Sequence, residues 1–372
     1  MKTGLIWIFA ILLLASCIQE KAKPTIDPKG FDKTVEGKKV ALFTMKNKNG
    51  LEMSVTNYGG RIVSFLAPDK NGKMEDVVLG YDSLENYLDP KNNYGAAIGR
   101  YGNRIANGLF SLGDIQYKLA QNNGPNCLHG GLIGFSSKVW DAELKKPNEL
   151  ELTLISPDMD EGFPGELKVV MTYKLTDQNE LVINYSATTD RQTVCNLTNH
   201  SYFNLHGAGN GDILDHILYI NADAITAVDS TLIPTGEIMP VAGTPLDFRT
   251  PTAIGARIND ENQQLKFGGG YDHNFVLNIS EPEVTLVASV YEPVSGRFLE
   301  VFTDQPGIQL YTGNFLTGQV PGKAGKFYNY RTAVCLETQC FPDSPNQPEF
   351  PTVVLNPGET YSHTCIYKFS VK

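Results

Sequence analysis

"ELKVVMTYKL" (166–175) and "ELVINYSATT" (180–189), separated only by "TDQN", decide the fold class. In the first run Leu167, Val169, Met171, Tyr173 and Leu175 alternate with Lys168, Thr172 and Lys174; in the second, Leu181, Ile183 and Tyr185 alternate with Asn184 and Ser186. Successive side chains of a strand point to opposite faces, so this alternation marks ribbons with one buried side. Working outward, short alternating or β-branched runs recur: "KKVALFTM", "LEMSVTNYG", "GRIVSFLAP", "ELELTLISP", "VTLVASVYEP", "RFLEVFTD" and "HTCIYKFSV". Most are bounded by Gly, Pro, Asn or Asp, the punctuation of strands joined by turns. Helical patterns are short, with "SLENYL" (83–88) and "PTAIGARI" (251–258) the clearest. The sequence predicts an all-β fold, a large antiparallel β-sandwich, in a single domain over residues 37–372.

Of the 372 residues, 41% are hydrophobic and 19% charged, enough to build a sizeable core. A net charge of −10 without a basic run argues against nucleic acid, whose binding rests on phosphate neutralisation. The N-terminal "MKTGLIWIFAILLLASC" has an apolar run, Leu5 to Leu14, too short for a span of about 20 residues. It reads as an export signal. Its "LASC" ending resembles a bacterial lipoprotein processing site, which makes Cys17 the lipidated residue of a signal covering 1–17. Residues 18–36, polar with two prolines, read as a tether, so membrane contact is expected through the lipid anchor only. Isoleucine after Cys17 is compatible with the outer membrane. Five other cysteines (Cys127, Cys195, Cys335, Cys340, Cys365) form no CxxC pair and are expected as mostly free, buried thiols, with a Cys335–Cys340 bridge left open.

Polar stretches between the strands are more than turn chemistry requires. They are "GRYGNRIANG" (99–108), "NNGPNCLHGG" (122–131), "GGGYDHNF" (268–275), "PGIQLYTGNF" (306–315) and "CLETQCFPDSPNQPEFP" (335–351). In "NLTNHSYFNL" (196–205), read as a strand, one face would carry Asn196, Thr198, His200, Tyr202 and Asn204, while Leu197, Phe203 and Leu205 pack inward. The histidines show no HExxH spacing, the glycine-rich stretch lacks the P-loop lysine, and no G-x-S-x-G elbow occurs, so metal, nucleotide and serine-hydrolase chemistry lack their local signatures. Acid–base chemistry remains. Glu337 stands in what otherwise reads as a buried strand, where an unpaired carboxylate is costly. Taken singly, Glu337, His200, Asp272 and Arg104 could each be structural.

Taken together and in order, "NRIANG", "LHGG", "GFPGELKV", "NLTNHSYFNL", "LIPTGEI", "DHNF", "QPGIQLYTGNF" and "LETQCFPDSPNQPEFP" resemble the aldose 1-epimerases, or galactose mutarotases. The resemblance spans residue 37 to the end. It implies a galactose mutarotase-like sandwich and interconversion of the α and β anomers of a free aldohexose without a cofactor. By motif it implies His200 as general acid and Glu337 as general base, with sugar-binding roles for Asn103, Arg104, His129, Tyr202, Asp272 and Gln309. Two departures stand out: "GRYGNRI" carries Tyr101 and Gly102 where an aliphatic residue and an alanine are expected, and Cys340 replaces a common asparagine. Tyr101 is expected to narrow one side of the site.

The residues fit that chemistry. Anomerisation removes the C1 hydroxyl proton while another group protonates the ring oxygen. A carboxylate with reference pKa about 4.3 suits the first task and an imidazole near 6.5 the second. Three other readings compete: a non-catalytic glycan-binding lipoprotein, a glycoside hydrolase or lyase using Asp272 and Glu337 as paired carboxylates, and a hexose-phosphate epimerase, which should show a basic cluster. The sequence does not reveal the oligomeric state or the preferred aldose.

Overall fold

The computed structural model describes residues 26–279 and 283–372; the expected export signal, Cys17 and residues 18–25 of the expected tether lie outside them. Leu167–Leu175 and Glu180–Thr189 pair antiparallel, with Leu175 opposite Leu181, and the alternating apolar residues of both are buried. They sit within an antiparallel nine-stranded sheet ordered Asp141–Lys146, Glu149–Ser156, Leu167–Leu175, Glu180–Thr189, Tyr361–Val371, Arg297–Thr303, Thr285–Tyr291, Ile217–Ile220 and Thr252–Ala253. A five-stranded sheet runs Pro234–Pro240, Ala222–Val228, Asp272–Leu277, Gly307–Tyr311 and Cys335–Gln339; a four-stranded one joins Leu42–Lys46, Glu52–Thr56, Arg61–Pro68 and Met74–Asp76. One apolar core unites all three, with Met53 and Phe65 from the four-stranded sheet, Leu152, Met171 and Ile183 from the nine-stranded, and Phe275, Ile308 and Leu336 from the five-stranded. Each such side chain contributes roughly 1.5–3 kcal/mol by leaving water. The all-β antiparallel sandwich is the observed architecture.

Several local expectations are corrected. The packed structure begins by Ile26 rather than at residue 37: Ile26 and Phe31 are buried against Val40, Tyr58 and Tyr87, so the second half of the expected tether belongs to the globule. "SLENYL" contains only a 3₁₀ turn, Leu84–Tyr87, and "PTAIGARI" a two-residue strand followed by another such turn. The α-helix of the described residues is Gln263–Gly268, which the apolar pattern did not indicate; Asn262 caps it, its side chain accepting from Gln264 N and Leu265 N. Among the described residues no helix is long and apolar enough to cross a membrane. All five described cysteines are buried and free, Cys335 and Cys340 included.

"NLTNHSYFNL" is not one strand. Only Thr198–His200 forms a ladder, with Ala96–Ile98, while Asn196 bridges Tyr101 and Phe203 bridges both Val78 and Val334. The segment is stitched to different neighbours along its length, which no single-strand pattern can encode. Its face assignment nevertheless holds for Leu197, Phe203 and Leu205, all in the core.

Candidate active site

Strand register builds the floor of the site. Gln309 lies directly opposite both Asn274 and Glu337, and Tyr311 opposite both Asp272 and Cys335. Because side chains alternate, Asp272, Gln309, Tyr311 and Glu337 share one face, while Phe275, Ile308, Leu310 and Leu336 turn to the core. Thr198–His200 packs beside Cys335–Gln339 and delivers His200 to the same face. A third wall comes from Arg104–Ile105 paired with Cys127–Leu128. There the backbone N–H of His129 donates to Asn103 O at 3.0 Å, and the backbone N–H of Asn103 donates to His129 Nδ1 at 3.1 Å. Both residues are left-handed (φ 66° and 53°), a conformation that non-glycine residues adopt at a cost of about 1–2 kcal/mol. The reciprocal bonds hold them there.

These walls enclose a cleft of about 1020 Å³. All eight residues expected at a catalytic or sugar-binding site line it: Asn103, Arg104, His129, His200, Tyr202, Asp272, Gln309 and Glu337. His200 Nε2 is 3.6 Å from Glu337 Oε1, and the His200 ring stacks on Tyr202 with centroids 4.7 Å apart. Gln309 Nε2 donates to Asp272 Oδ1 at 2.7 Å, and Arg104 Nη2 is 3.8 Å from Asp272 Oδ2. His200 Nδ1, Gln309 Oε1 and Glu337 Oε2 are buried yet bonded to no protein group. Folded proteins pair nearly all such atoms, so this concentration marks a surface shaped for a hydrogen-bonding ligand.

Burial dominates the titration of the pair. It pushes Glu337 well above the usual carboxylate range, helped by the negative charge of Asp272 and opposed by Arg104. It pushes His200 down to about 3. Both shifts run toward the uncharged forms, a protonated Glu337 and a neutral His200. Reference values put the proton the other way round; the difference is the desolvation penalty on a buried ion pair. Asp272 is also raised by burial, and His129 is held neutral by burial and by His200 and Arg104.

The sequence profile of the aldose 1-epimerases matches residues 41–368. The chain belongs to the aldose 1-epimerase family. It is 49% identical to the galactose mutarotase of Bos taurus over 321 residues, covering 86% of this chain and 92% of that protein. It is 37% identical to the aldose 1-epimerase of Escherichia coli (strain K12), covering 90% and 96%. Among solved structures, the aldose epimerase homologue from C. elegans superimposes with a TM-score of 0.82 at 32% identity, covering 89% of this chain and 99% of that one. The galactose 1-epimerase of Lactobacillus acidophilus NCFM does so at 0.80 and 30%, covering 91% and 97%. The chain is thus an isomerase, an epimerase that interconverts anomers.

As an aldose 1-epimerase site, the cleft includes residues that sequence reasoning passed over. Asn123 Oδ1 accepts from Arg104 Nε at 3.0 Å and aims the guanidinium. The Tyr311 ring stands edge-on to His200, and Tyr94 stands edge-on to Tyr202. Tyr311 was within reach, two residues beyond Gln309 on the same strand face; Tyr94 sits in a loop with no pattern to betray it. Tyr101 does not narrow the site. It is buried in a separate apolar cluster, where its hydroxyl donates to Phe341 O at 2.8 Å. Asn196 and Asn204, placed by the alternation on the polar face, fix loops instead: Asn196 Oδ1 accepts from Cys340 N, and Asn204 Nδ2 donates to Thr332 O.

His129, His200 and Glu337 offer potential ligand atoms within 4.8 Å of one another. The bonding argues against a metal there. His129 Nδ1 already accepts from Asn103, so the neutral ring carries its proton on Nε2 and has no second lone pair. The cluster of His206, Asp215 and His216 fails likewise, because His216 Nε2 accepts from Leu205 N at 3.0 Å.

Proposed function

We propose that this epimerase acts on free aldohexoses, galactose or glucose, with Glu337 and His200 exchanging one proton with the substrate and no cofactor taking part. The observation that carries this reading is the buried pair at the cleft floor, 3.6 Å apart, surrounded by hydrogen-bonding groups. With the proton on His200, Glu337 takes the C1 hydroxyl proton as His200 donates to the ring oxygen, and the ring opens. The pair then has its proton on Glu337, which is the tautomer burial favours at rest. Closure on the other face of C1 runs the same transfers backward. Glu337 Oε2, free to accept from a sugar hydroxyl, favours the carboxylate form once substrate is bound, and Gln309 Oε1 is free to hold another hydroxyl. Such acid–base groups typically contribute about 10²- to 10⁴-fold each. Asp272, engaged by Gln309 and faced by Arg104, is better suited to hold a hydroxyl than to attack a carbon.

The sugar-binding roles of Asn103, Arg104, His129, Tyr202, Asp272 and Gln309 are supported by their shared cleft. The N-terminal "LASC" supports export and lipidation at Cys17, leaving the epimerase domain in the bacterial envelope at, we infer, the outer membrane. Radiolabelled palmitate incorporation, lost in Cys17→Ala, tests the anchor. Polarimetry on freshly dissolved α-D-galactose and α-D-glucose tests the reaction. Wild type should speed the decay of rotation, and Glu337→Gln should lose about 10²- to 10⁴-fold of that acceleration; a Gln variant at full speed would remove Glu337 from the mechanism.

A further inference from the structure

Three side chains of one strand reach the two catalytic segments from the side opposite the cleft. That strand, Tyr361–Val371, lies in the middle of the nine-stranded sheet, across the core from the strand of Glu337. The Tyr361 hydroxyl accepts from Leu197 N at 3.1 Å, and the Tyr367 hydroxyl donates to Leu336 O at 2.7 Å. Between them His363, 1% exposed, touches both segments at once: its Nδ1 is 3.0 Å from Leu197 O and its Nε2 is 2.9 Å from the Thr338 hydroxyl.

The donor directions follow from chemistry. A carbonyl oxygen only accepts, so Nδ1 carries the hydrogen and donates to Leu197 O. In the neutral ring Nε2 then has a lone pair and accepts from the Thr338 hydroxyl. Leu197 precedes His200 by three residues, and Thr338 directly follows Glu337 on the opposite face of its strand. The ring is locked flat against Tyr185, centroids 4.9 Å apart and planes 22° from parallel. A rigid planar group with two defined hydrogen bonds therefore spans the backbone that carries the acid and the backbone that carries the base.

We propose that His363 is a positioning residue of the epimerase: through Leu197 O and the Thr338 hydroxyl it fixes the separation of His200 and Glu337. This rests on the reading of that pair as the proton-transfer groups. The separation matters because proton transfer falls steeply with misplacement; a displacement near 1 Å commonly costs about 10²-fold. The sequence holds no local sign of it, since His363 lies in a run that reads as an ordinary core strand.

The test uses Thr338→Val, which keeps shape and removes the hydroxyl, and Thr338→Ser, which restores it. His363→Asn keeps a donor near the Nδ1 position and loses reach to Thr338; His363→Gln places an acceptor near the Nε2 position. Thr338→Val should lower kcat about tenfold with KM within twofold of wild type, and Thr338→Ser should recover most of the loss. In a Glu337→Gln background Thr338→Val should have no further effect on rate, because it acts through that carboxylate. If Thr338→Val and both His363 variants, folded at the assay temperature, turn over at the wild-type kcat with only a lower melting temperature, the bridge is merely structural and the proposal is overturned. If Glu337→Gln itself keeps full activity, the catalytic reading fails first, whatever the Thr338 variants do.

Discussion

Gly130 follows His129 at φ +85° and lies against the backbone of Gly99 and Arg100. An alanine Cβ there would stand 2.0 Å from Gly99 O, 2.5 Å from Gly99 C and 2.7 Å from Arg100 N, where ordinary contacts begin at 3.4 Å. One side must give way by about 1.4 Å. The Arg100 side is held: its buried guanidinium donates to Pro164 O at 2.7 Å, Gly165 O at 2.8 Å and Ser156 Oγ at 2.7 Å. The loop carrying His129 therefore moves, and the 3.1 Å bond from Asn103 N to His129 Nδ1 does not survive such a shift. Gly130→Ala should lose about 10²-fold in kcat/KM by misplacing His129 and Asn103, and about 1–2 kcal/mol of stability from φ strain alone. Gly113→Ala is the control. It has φ +57° and nothing within 4 Å of the added methyl, so it carries the strain without the clash and should keep wild-type turnover. Polarimetric kcat/KM on α-D-galactose, with thermal unfolding of each variant, separates the two effects. A Gly130→Ala enzyme with wild-type kcat/KM, or a Gly113→Ala enzyme that loses as much, would refute the reasoning.

Because Glu337 and His200 hold one proton between them, Glu337→Gln, His200→Gln and the double variant should all lose about 10²- to 10⁴-fold, with the double no worse than the poorer single; losses that multiply would refute the shared proton. Asp272 raises the Glu337 pKa by its negative charge, after burial. Asp272→Asn should therefore release that proton at lower pH and shift the alkaline limb of the kcat/KM profile downward; an unmoved or upward limb counts against the assignment. Lys323 Nζ, buried, donates to Val63 O and Val78 O at 2.7 Å and to Asp76 Oδ2 at 2.5 Å. Lys323→Met removes the cation from that carboxylate, leaving it only the Phe65 and Val78 backbone N–H groups on Oδ1, and should cost about 3 kcal/mol in denaturant unfolding; a loss under 1 kcal/mol would show that the three acceptors find other partners.

Strand content was legible because alternation is a direct image of burial on one face, as Leu167–Leu175 and Glu180–Thr189 demonstrate. The catalytic and binding side chains were legible through motifs, not through any local pattern; Glu337 alone announced itself, as a carboxylate in an apolar run. The rest depends on long-range contacts. Residues 26–36 looked like a tether because only Ile26, Phe31 and the half-buried Val35 supply the packing, while one proline and mostly charged residues fill the remainder. Tyr101 looked like a site residue because its neighbours in the chain are, yet its ring turns into a different cluster. The direction of the pair's pKa shifts was illegible for the same reason: reference values describe fully hydrated groups, and Glu337 and His200 are both buried.

The Tyr361–Val371 strand also sets an order of events in folding. Its contact from His363 to Leu197 joins residues 166 apart in sequence, whereas Leu167–Leu175 and Glu180–Thr189 are joined by a turn. Closing so long a loop is entropically unfavourable and slow compared with zipping a hairpin. Sheet signal should thus return early in refolding, while the acid and the base stay apart until this strand inserts. Regain of mutarotation is then a clock for the last long-range closure, and a chain paused before that step is a folded-looking protein without a catalyst.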